Sequence, residues 1–182
     1  MLNINFTTFP SLITNRLLLR QLKTEDENEI FALRTNETVN KFIDRPKTNS
    51  SAYALKFIER ITNGIANNES IYWAIALKNN FKLTGTICLW NISQEHFRAE
   101  IGYELHPDFH GKGIMQEAFT KVVEYGFHTM KLKTIVAFTN ALNERSRKLL
   151  EKNNFRVDAN FEYLKTEKEK INRTVIYSLM NS

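Results

Sequence analysis

The chain has little of several residue types: one cysteine, three prolines and six glycines in 182 residues. The lone Cys88 excludes an intrachain disulfide, and its position in an apolar run predicts a buried side chain rather than a nucleophile. Apolar runs are far shorter than the roughly 20 residues of a membrane-spanning helix. The first residues lack the basic start and apolar stretch of a secretory signal. We therefore expect a cytoplasmic protein without a membrane partner.

The formal charge of +5 and the isoelectric point near 9.3 favour anionic partners. Basic residues are, however, interleaved with acidic ones, as in residues 165–170, which we expect to form an exposed hairpin tip. No recognised nucleic-acid motif accompanies the charge. A ligand with several phosphates suits this surface, and nucleic-acid binding is the less favoured alternative.

Glycines cluster in one segment, because Gly102, Gly111 and Gly113 all lie within residues 99–118. A strand-like pattern ends there at Pro107, and an amphipathic helical pattern follows Gly113. Glycine permits positive φ and close approach of a ligand to the backbone. A helix N-terminus adds N–H groups and a favourable dipole for a phosphate. The spacing predicts a phosphate loop, although a tight turn can show the same pattern.

Hydrophobic periodicity predicts an α/β layered domain over residues 1–182 with a mixed sheet and the order βααβββαβαββ. The predicted strands are residues 16–22, 71–77, 83–90, 99–105, 134–139, 155–164 and 174–180. The predicted helices carry the apolar residues of segments 30–33, 53–61, 114–127 and 143–152.

The hexapeptide at residues 110–115, His-Gly-Lys-Gly-Ile-Met, resembles the phosphate loop of the GNAT superfamily of acyl-CoA N-acyltransferases. The family pattern is Gln or Arg, two residues, Gly, one residue, and Gly or Ala. Gly113 matches the required glycine, whereas His110 and Met115 depart from the pattern. Residues 14–20, 83–87 and 143–155 resemble the ribosomal-protein-alanine N-acetyltransferase branch. The resemblance covers nearly the whole chain and implies a mostly antiparallel, seven-stranded sheet flanked by helices.

The resemblance implies direct attack of an amine on the thioester of acetyl-CoA, the expected cosubstrate. Glu100 would accept the amine proton, because an ammonium is mostly protonated at neutral pH. A backbone N–H near residues 103–105 would stabilise the oxyanion. Ser146 would protonate the departing CoA thiolate, with Tyr103 as a second possible acid. The alternatives are an exposed sheet carboxylate for Glu100 and a capping or first-turn hydroxyl for Ser146.

The resemblance also implies a set of cosubstrate contacts. Backbone N–H groups of the phosphate loop, with Lys112 nearby, would bind the pyrophosphate. Asn143 would bind the pantetheine amide, and alternation along the strand places Glu104 on the face of Glu100. The expected cosubstrate-binding residues are Glu104, Leu105, His110, Gly111, Lys112, Gly113, Ile114, Met115 and Asn143.

Other partners are less well defined by the sequence. His106 and His110 flank Pro107, so no helix can hold them together, and no metal is expected. We expect the first two helices and residues 166–172 to determine which acceptor is bound. The resemblance to the ribosomal-protein-alanine N-acetyltransferase branch implies a protein N-terminal amine. A polyamine, an amino acid or an aminoglycoside is an alternative acceptor. Because His110 and Met115 depart from the family pattern, a CoA-binding module that catalyses no reaction is a further alternative. Either a monomer or a homodimer is expected.

Overall fold

The computed structural model describes residues 1–46, 50, 52–159 and 173–181. The strands are β1 (Leu12–Ile13), β2 (Leu17–Arg20), β3 (Ile71–Leu77), β4 (Leu83–Ser93), β5 (Arg98–Leu105), β6 (Thr134–Asn140), β7 (Arg156–Val157) and β8 (Thr174–Met180). The helices are α1 (Glu27–Thr35), α2 (Glu37–Asn40), α3 (Ala52–Ala66), α4 (Ile114–His128) and α5 (Glu144–Lys152). Within these ranges, no helix combines the length and the hydropathy that crossing a bilayer requires.

The described strands form one sheet in the order β1-β2-β3-β4-β5-β6-β8-β7. The β5–β6 pair is parallel and the other pairs are antiparallel, which confirms the mixed, mostly antiparallel sheet. The described residues form eight strands rather than the seven predicted, because β1 forms a short hairpin ahead of β2. The short helix α2 is also an addition, and the Asn36 side chain caps it by accepting two backbone N–H groups.

The closing hairpin is described only in part. The predicted strand over residues 155–164 contains β7, and its remainder from residue 160 lies outside the described residues. The predicted hairpin tip at residues 165–172 also lies outside them. Its partner β8 is formed as predicted and pairs with β6 along its length.

Two layers of helices cover the sheet. Helix α4 packs on one face, where the Tyr103 and Phe119 rings meet edge to face at 5.4 Å. Helices α1 and α3 cover the other face, where Phe57 packs against Tyr72 at 5.7 Å. Side chains alternate between the faces along β5, so neighbouring residues of that strand look into different layers.

Strands β5 and β6 separate partway along their length. Residues 98–100 of β5 pair with residues 134–136 of β6, and the pairing stops there. β5 nevertheless continues to Leu105 against β4, and β6 continues to Asn140 against β8. The sheet therefore opens between the carboxyl ends of these two strands, beside the loop that leads into α4.

Candidate active site

The loop after β5 has the backbone that its glycines predict. Gly111 and Gly113 have φ of 73° and 71°, in the left-handed region that other residues rarely adopt. Gly113 is the N-cap of α4, which begins at Ile114. A Cβ added to Gly113 would lie 3.3 Å from Arg16 Nη2, whereas one added to Gly111 would meet nothing within 4 Å. Gly113 is thus constrained by both conformation and space.

The same loop presents donors to a ligand. Within the described residues, no hydrogen bond occupies the backbone N–H groups from Gly111 to Met115. The dipole of the 15-residue helix α4 adds partial positive charge at this end. The Met115 side chain is half-buried and packs against the core. These residues therefore fit a pyrophosphate.

An ion pair between Arg16 and Glu117 holds the loop in place, and we call it the clamp. Arg16 Nε lies 2.6 Å from Glu117 Oε2, and Arg16 Nη1 donates to the Lys112 carbonyl at 2.9 Å. Thr14 Oγ1 also donates to Glu117, at 2.6 Å. Burial alone would raise the pKa of Glu117, but the hydrogen bonds from Thr14 and Arg16 outweigh it and lower that pKa. This clamp was not predicted, because its partners are 101 residues apart in sequence.

His110 joins the loop to both neighbouring elements. Arg145 Nη1 lies 2.6 Å from His110 Nδ1 and can only donate, so Nδ1 is the acceptor. The other ring nitrogen, Nε2, is then the donor to the Leu105 carbonyl at 3.0 Å. At the position where the family pattern has Gln or Arg, the imidazole ring of His110 therefore connects the end of β5 to α5 through two hydrogen bonds.

Tyr103 and Ser146 meet beside the opening of the sheet. Their hydroxyl oxygens are 2.7 Å apart, one from β5 and the other from the first turn of α5. Burial raises the pKa of Tyr103 to about 12, although the hydrogen bond between Tyr103 and Ser146 works against this. Tyr103 is therefore protonated at neutral pH. The structure brings together the two hydroxyls that the sequence analysis assigned as acids.

Asn143 is the N-cap of α5. Its side-chain oxygen accepts the Ser146 N–H at 3.2 Å, which fixes the first turn and the position of Ser146. Asn143 thus takes the capping part of the alternative given for Ser146, whereas Ser146 is a hydroxyl of the first turn, as the other part of that alternative states. The predicted contact of Asn143 with pantetheine stays a prediction.

Glu100 and Glu104 lie on the other face of β5, as the alternation predicted. Their partners in β4 are Trp90 and Thr86, in unbroken register. The Glu104 carboxylate is bound by Arg34 and Arg45, so only its backbone faces the opening of the sheet. Glu100 is half-buried and is not part of the Tyr103–Ser146 contact. The structure therefore separates the predicted base from the predicted acids by the thickness of the strand.

Cys88 lies on the same face as these carboxylates. Its thiol is buried and donates to the Gly102 carbonyl at 3.5 Å, and burial raises its pKa. Such a thiol is unreactive, as the sequence predicted. The part of the chain that the structure describes holds no group of three or more His, Cys, Asp or Glu side chains arranged for a metal ion.

Comparison with known proteins assigns the family. A model of the acetyltransferase (GNAT) domain matches residues 16–156. The chain belongs to the GNAT acetyltransferase family. The uncharacterised N-acetyltransferase YoaA of Bacillus subtilis is 36% identical to this GNAT chain over 147 residues, which cover 81% of this chain and 83% of YoaA. The chain is accordingly an acetyl-CoA-dependent acyltransferase, as the resemblance implied.

Solved GNAT structures share the fold. A ribosomal-protein-S5-alanine acetyltransferase from Vibrio fischeri superposes with a TM-score of 0.77 at 21% identity, over 94% of this chain and 97% of that one. The microcin C7 self-immunity acetyltransferase MccE, in complex with acetyl-CoA and AMP, gives 0.77 at 21% identity over 98% and 100% of the two chains. Structures sharing the fold thus include a ribosomal-protein acetyltransferase.

Proposed function

We propose that this protein transfers the acetyl group of acetyl-CoA to a primary amine by direct attack within a ternary complex. The observation that carries the proposal is the Tyr103–Ser146 hydroxyl pair, 2.7 Å apart, beside the opening between β5 and β6. The pyrophosphate would bind the N–H groups from Gly111 to Met115, which places the thioester in that opening. The side chain of Lys112 adds positive charge near the loop.

In this proposal the amine loses a proton on one face of β5, and the CoA sulfur gains a different proton on the other face. Glu100 accepts a proton from the ammonium, directly or through water, and the free amine attacks the thioester carbon. The C–S bond then breaks, and Ser146 donates a proton to the thiolate. Tyr103 returns a proton to Ser146 through their hydrogen bond. A tyrosine with a pKa of about 12 keeps that proton available across the neutral range. The attacking nitrogen loses its second proton as the C–S bond breaks, water carries a proton back to Tyr103, and Glu100 releases its own proton to solvent.

The developing oxyanion needs a donor, and the end of β5 can supply one. Strand β5 pairs with β6 only up to Glu100. The edge of residues 101–105 that faces β6 therefore borders the opening rather than another strand. We assign the oxyanion donor to a backbone N–H within residues 103–105. This role depends on the backbone of Glu104 and Leu105 and not on their side chains.

The acceptor is proposed to be a protein N-terminal amine, as in the branch that the sequence resembles. Polyamines, amino acids and aminoglycosides are the small-molecule alternatives. The CoA-binding module without chemistry stays the alternative of a different class. The contacts of His110 at both ring nitrogens and the packing of Met115 against the core support an ordered loop despite the two departures from the family pattern.

The test combines cosubstrate binding with turnover. The purified protein is titrated with acetyl-CoA by calorimetry, and is then mixed with acetyl-CoA and peptides, polyamines, amino acids or aminoglycosides in turn. We expect binding in the micromolar to low-millimolar range, and CoA thiol release that depends on the amine, with the acetylated product seen by mass spectrometry. Absence of binding would contradict the proposed loop. Binding without release for any amine would instead support a module without chemistry.

A further inference from the structure

A buried charge cluster lies on the face of β5 that carries Glu100. Arg34 of α1 and Arg45, which follows α2, both contact the carboxylate of Glu104. Arg34 Nη1 is 3.4 Å from Glu104 Oε1, and Arg45 Nη2 bonds to Oε2. The side chains of Arg34, Arg45 and Glu104 are only 10%, 8% and 11% exposed. We call these three residues the arginine cluster.

The arginine cluster has more positive charge than negative charge. Two guanidinium groups face one carboxylate, which leaves one positive charge in excess. Arg34 also donates to the Tyr53 hydroxyl at 3.1 Å and lies 3.9 Å from the centre of the Phe57 ring. Neither aromatic ring cancels a full charge. An uncompensated charge in such a buried position is costly unless an anion joins it.

The arginine cluster also has spare donors. In the described part of the chain, Arg34 Nε and Arg45 Nε and Nη1 are buried and have no hydrogen-bond partner. Buried polar groups are normally hydrogen-bonded, and the cost of leaving them unpaired is larger for charged groups. Two of the three spare donors belong to Arg45. An arginine with spare N–H groups is the side chain best suited to bind the paired oxygens of a carboxylate or a phosphate.

The position of the arginine cluster links it to the acceptor rather than to acetyl-CoA. Glu104 lies on the same face as Gly102 and Glu100, and the Tyr103–Ser146 pair lies on the opposite face. Four residues of strand separate Glu100 from Glu104, roughly 13 Å. Trp90, the β4 partner of Glu100, is 45% exposed and borders the same face. A molecule whose amine lies near Glu100 can therefore reach the cluster only with a group several bonds away.

We propose that the arginine cluster binds an anionic oxygen group, a carboxylate or a phosphate, on the acceptor amine. The inference rests on the proposed acetyl transfer, and it narrows the acceptor to amines with a negative charge at a distance from the nitrogen. For a peptide, this means an acidic side chain close behind the N-terminal residue. Arg45 belongs to neither a helix nor a strand, so its guanidinium can turn towards the ligand without breaking a ladder of backbone hydrogen bonds.

Matched pairs of acceptors separate charge from size. Peptides that differ only by Asp against Asn, or by Glu against Gln, behind the N-terminal residue are compared by kcat/KM from CoA release. Peptides with phosphoserine against serine at the same position distinguish phosphate from carboxylate. We expect at least one anionic member to exceed its neutral partner by about tenfold or more. Equal kcat/KM within every pair, with acetylation still observed, would overturn the inference and leave the proposed function standing.

Variants then test whether the preference for anionic acceptors comes from the arginine cluster. Arg45→Gln is expected to abolish the difference between the paired acceptors while the acetyl-CoA Kd stays the same. Arg60→Gln is the matched control, because Arg60 is an exposed arginine of α3, and its loss changes the net charge equally. Retention of the preference in Arg45→Gln would contradict the assignment. If Arg45→Gln does not fold, Arg45→Lys keeps the charge and is expected to lose most of the preference.

A binding measurement keeps the inference testable if no amine is acetylated. Melting temperatures of the wild type, Arg45→Gln and Arg60→Gln are compared in sodium phosphate, sodium acetate and sodium chloride at equal ionic strength. We expect phosphate or acetate to raise the Tm of the wild type and Arg60→Gln by more than that of Arg45→Gln, in which phosphate can still bind the loop after β5. No difference among the three proteins would show that the arginine cluster is a structural ion pair and would overturn the inference.

Discussion

The two faces of β5 differ in how they are built for binding. On the α4 face, the loop after β5 offers backbone N–H groups whose positions depend on left-handed glycines and a helix N-terminus. On the other face, the arginine cluster offers side chains brought together from α1, the segment after α2, and β5. A site made of backbone depends on a few glycines, whereas a site made of charged side chains depends on every partner being present. The two faces should therefore fail in different ways when mutated.

The largest expected effect is on the side-chain face. Glu104→Ala removes the single carboxylate from two buried arginines, and breaking a buried pair in this way costs about 3–5 kcal/mol. Glu144→Ala is the control, because Glu144 and its partner Lys148 are both 78% exposed, and such pairs contribute about 1 kcal/mol or less. Urea unfolding measures both. Similar losses in the two variants would contradict the view that the arginine cluster is a buried unit.

The next effect concerns the hydroxyl pair and the alkaline limit of stability. The native state raises the pKa of Tyr103 to about 12, from an unfolded value near 10. The native state therefore holds this proton more tightly, so the stability it contributes is complete below about pH 10 and is lost as pH rises towards 12. The slope from this group is at most about 1.4 kcal/mol per pH unit.

Tyr103→Phe should remove that slope. The difference in unfolding free energy between the wild type and Tyr103→Phe is measured from about pH 8 to pH 11, and it should change only above about pH 10. Other buried groups titrate equally in both proteins and cancel in the difference. A constant difference across the range would show that burial does not hold the Tyr103 proton.

On the backbone face, Gly113→Ala forces a Cβ into a left-handed residue at φ 71°, 3.3 Å from Arg16 Nη2. The strain is about 1–2 kcal/mol, which corresponds to roughly tenfold weaker acetyl-CoA binding if the loop relaxes to relieve it. Gly64→Ala is the control, because it lies in α3 with ordinary space around its Cβ and should stabilise the helix slightly. Calorimetry gives both Kd values. An unchanged Kd in Gly113→Ala would contradict the assigned phosphate loop.

The smallest expected effect is at His110. His110→Ala frees the Leu105 carbonyl and Arg145 and should weaken acetyl-CoA binding a few-fold, in line with the loss of two hydrogen bonds. His110→Gln can both donate and accept, as the family residue does, and should bind acetyl-CoA like the wild type. An equal loss in His110→Gln and His110→Ala would show that the ring itself, and not its hydrogen bonds, supports the loop.

The two faces also differ in how well the sequence predicted them. The glycine loop before α4 and the Asn143–Ser146 turn are local patterns, so residue spacing and family resemblance were enough to predict their backbone structure. The order of strands and helices followed from periodicity in the same way. The two-residue strand β1 and the one-turn helix α2 are too short to leave a periodic signal, and neither was predicted.

Contacts between distant segments were not predicted. Arg34 and Arg45 reach Glu104 across 70 and 59 residues of sequence, and a single arginine in a helix or a loop gives no pattern that indicates its partner. The excess of basic residues was the one available signal, and it was interpreted as a surface property. The single domain over residues 1–182, the cytoplasmic location, the oligomeric state and the roles of individual site residues stay predictions.

The central claim is that the Tyr103–Ser146 pair supplies the proton that releases CoA. It is tested most directly by measuring kcat and the acetyl-CoA Kd of Ser146→Ala on the best acceptor, with Ser93→Ala as the control outside the pair. We predict that kcat falls about 100-fold in Ser146→Ala while Kd stays within about twofold, because the hydroxyl acts only on the departing thiolate. An unchanged kcat, or a loss that appears wholly in Kd, would contradict the claim.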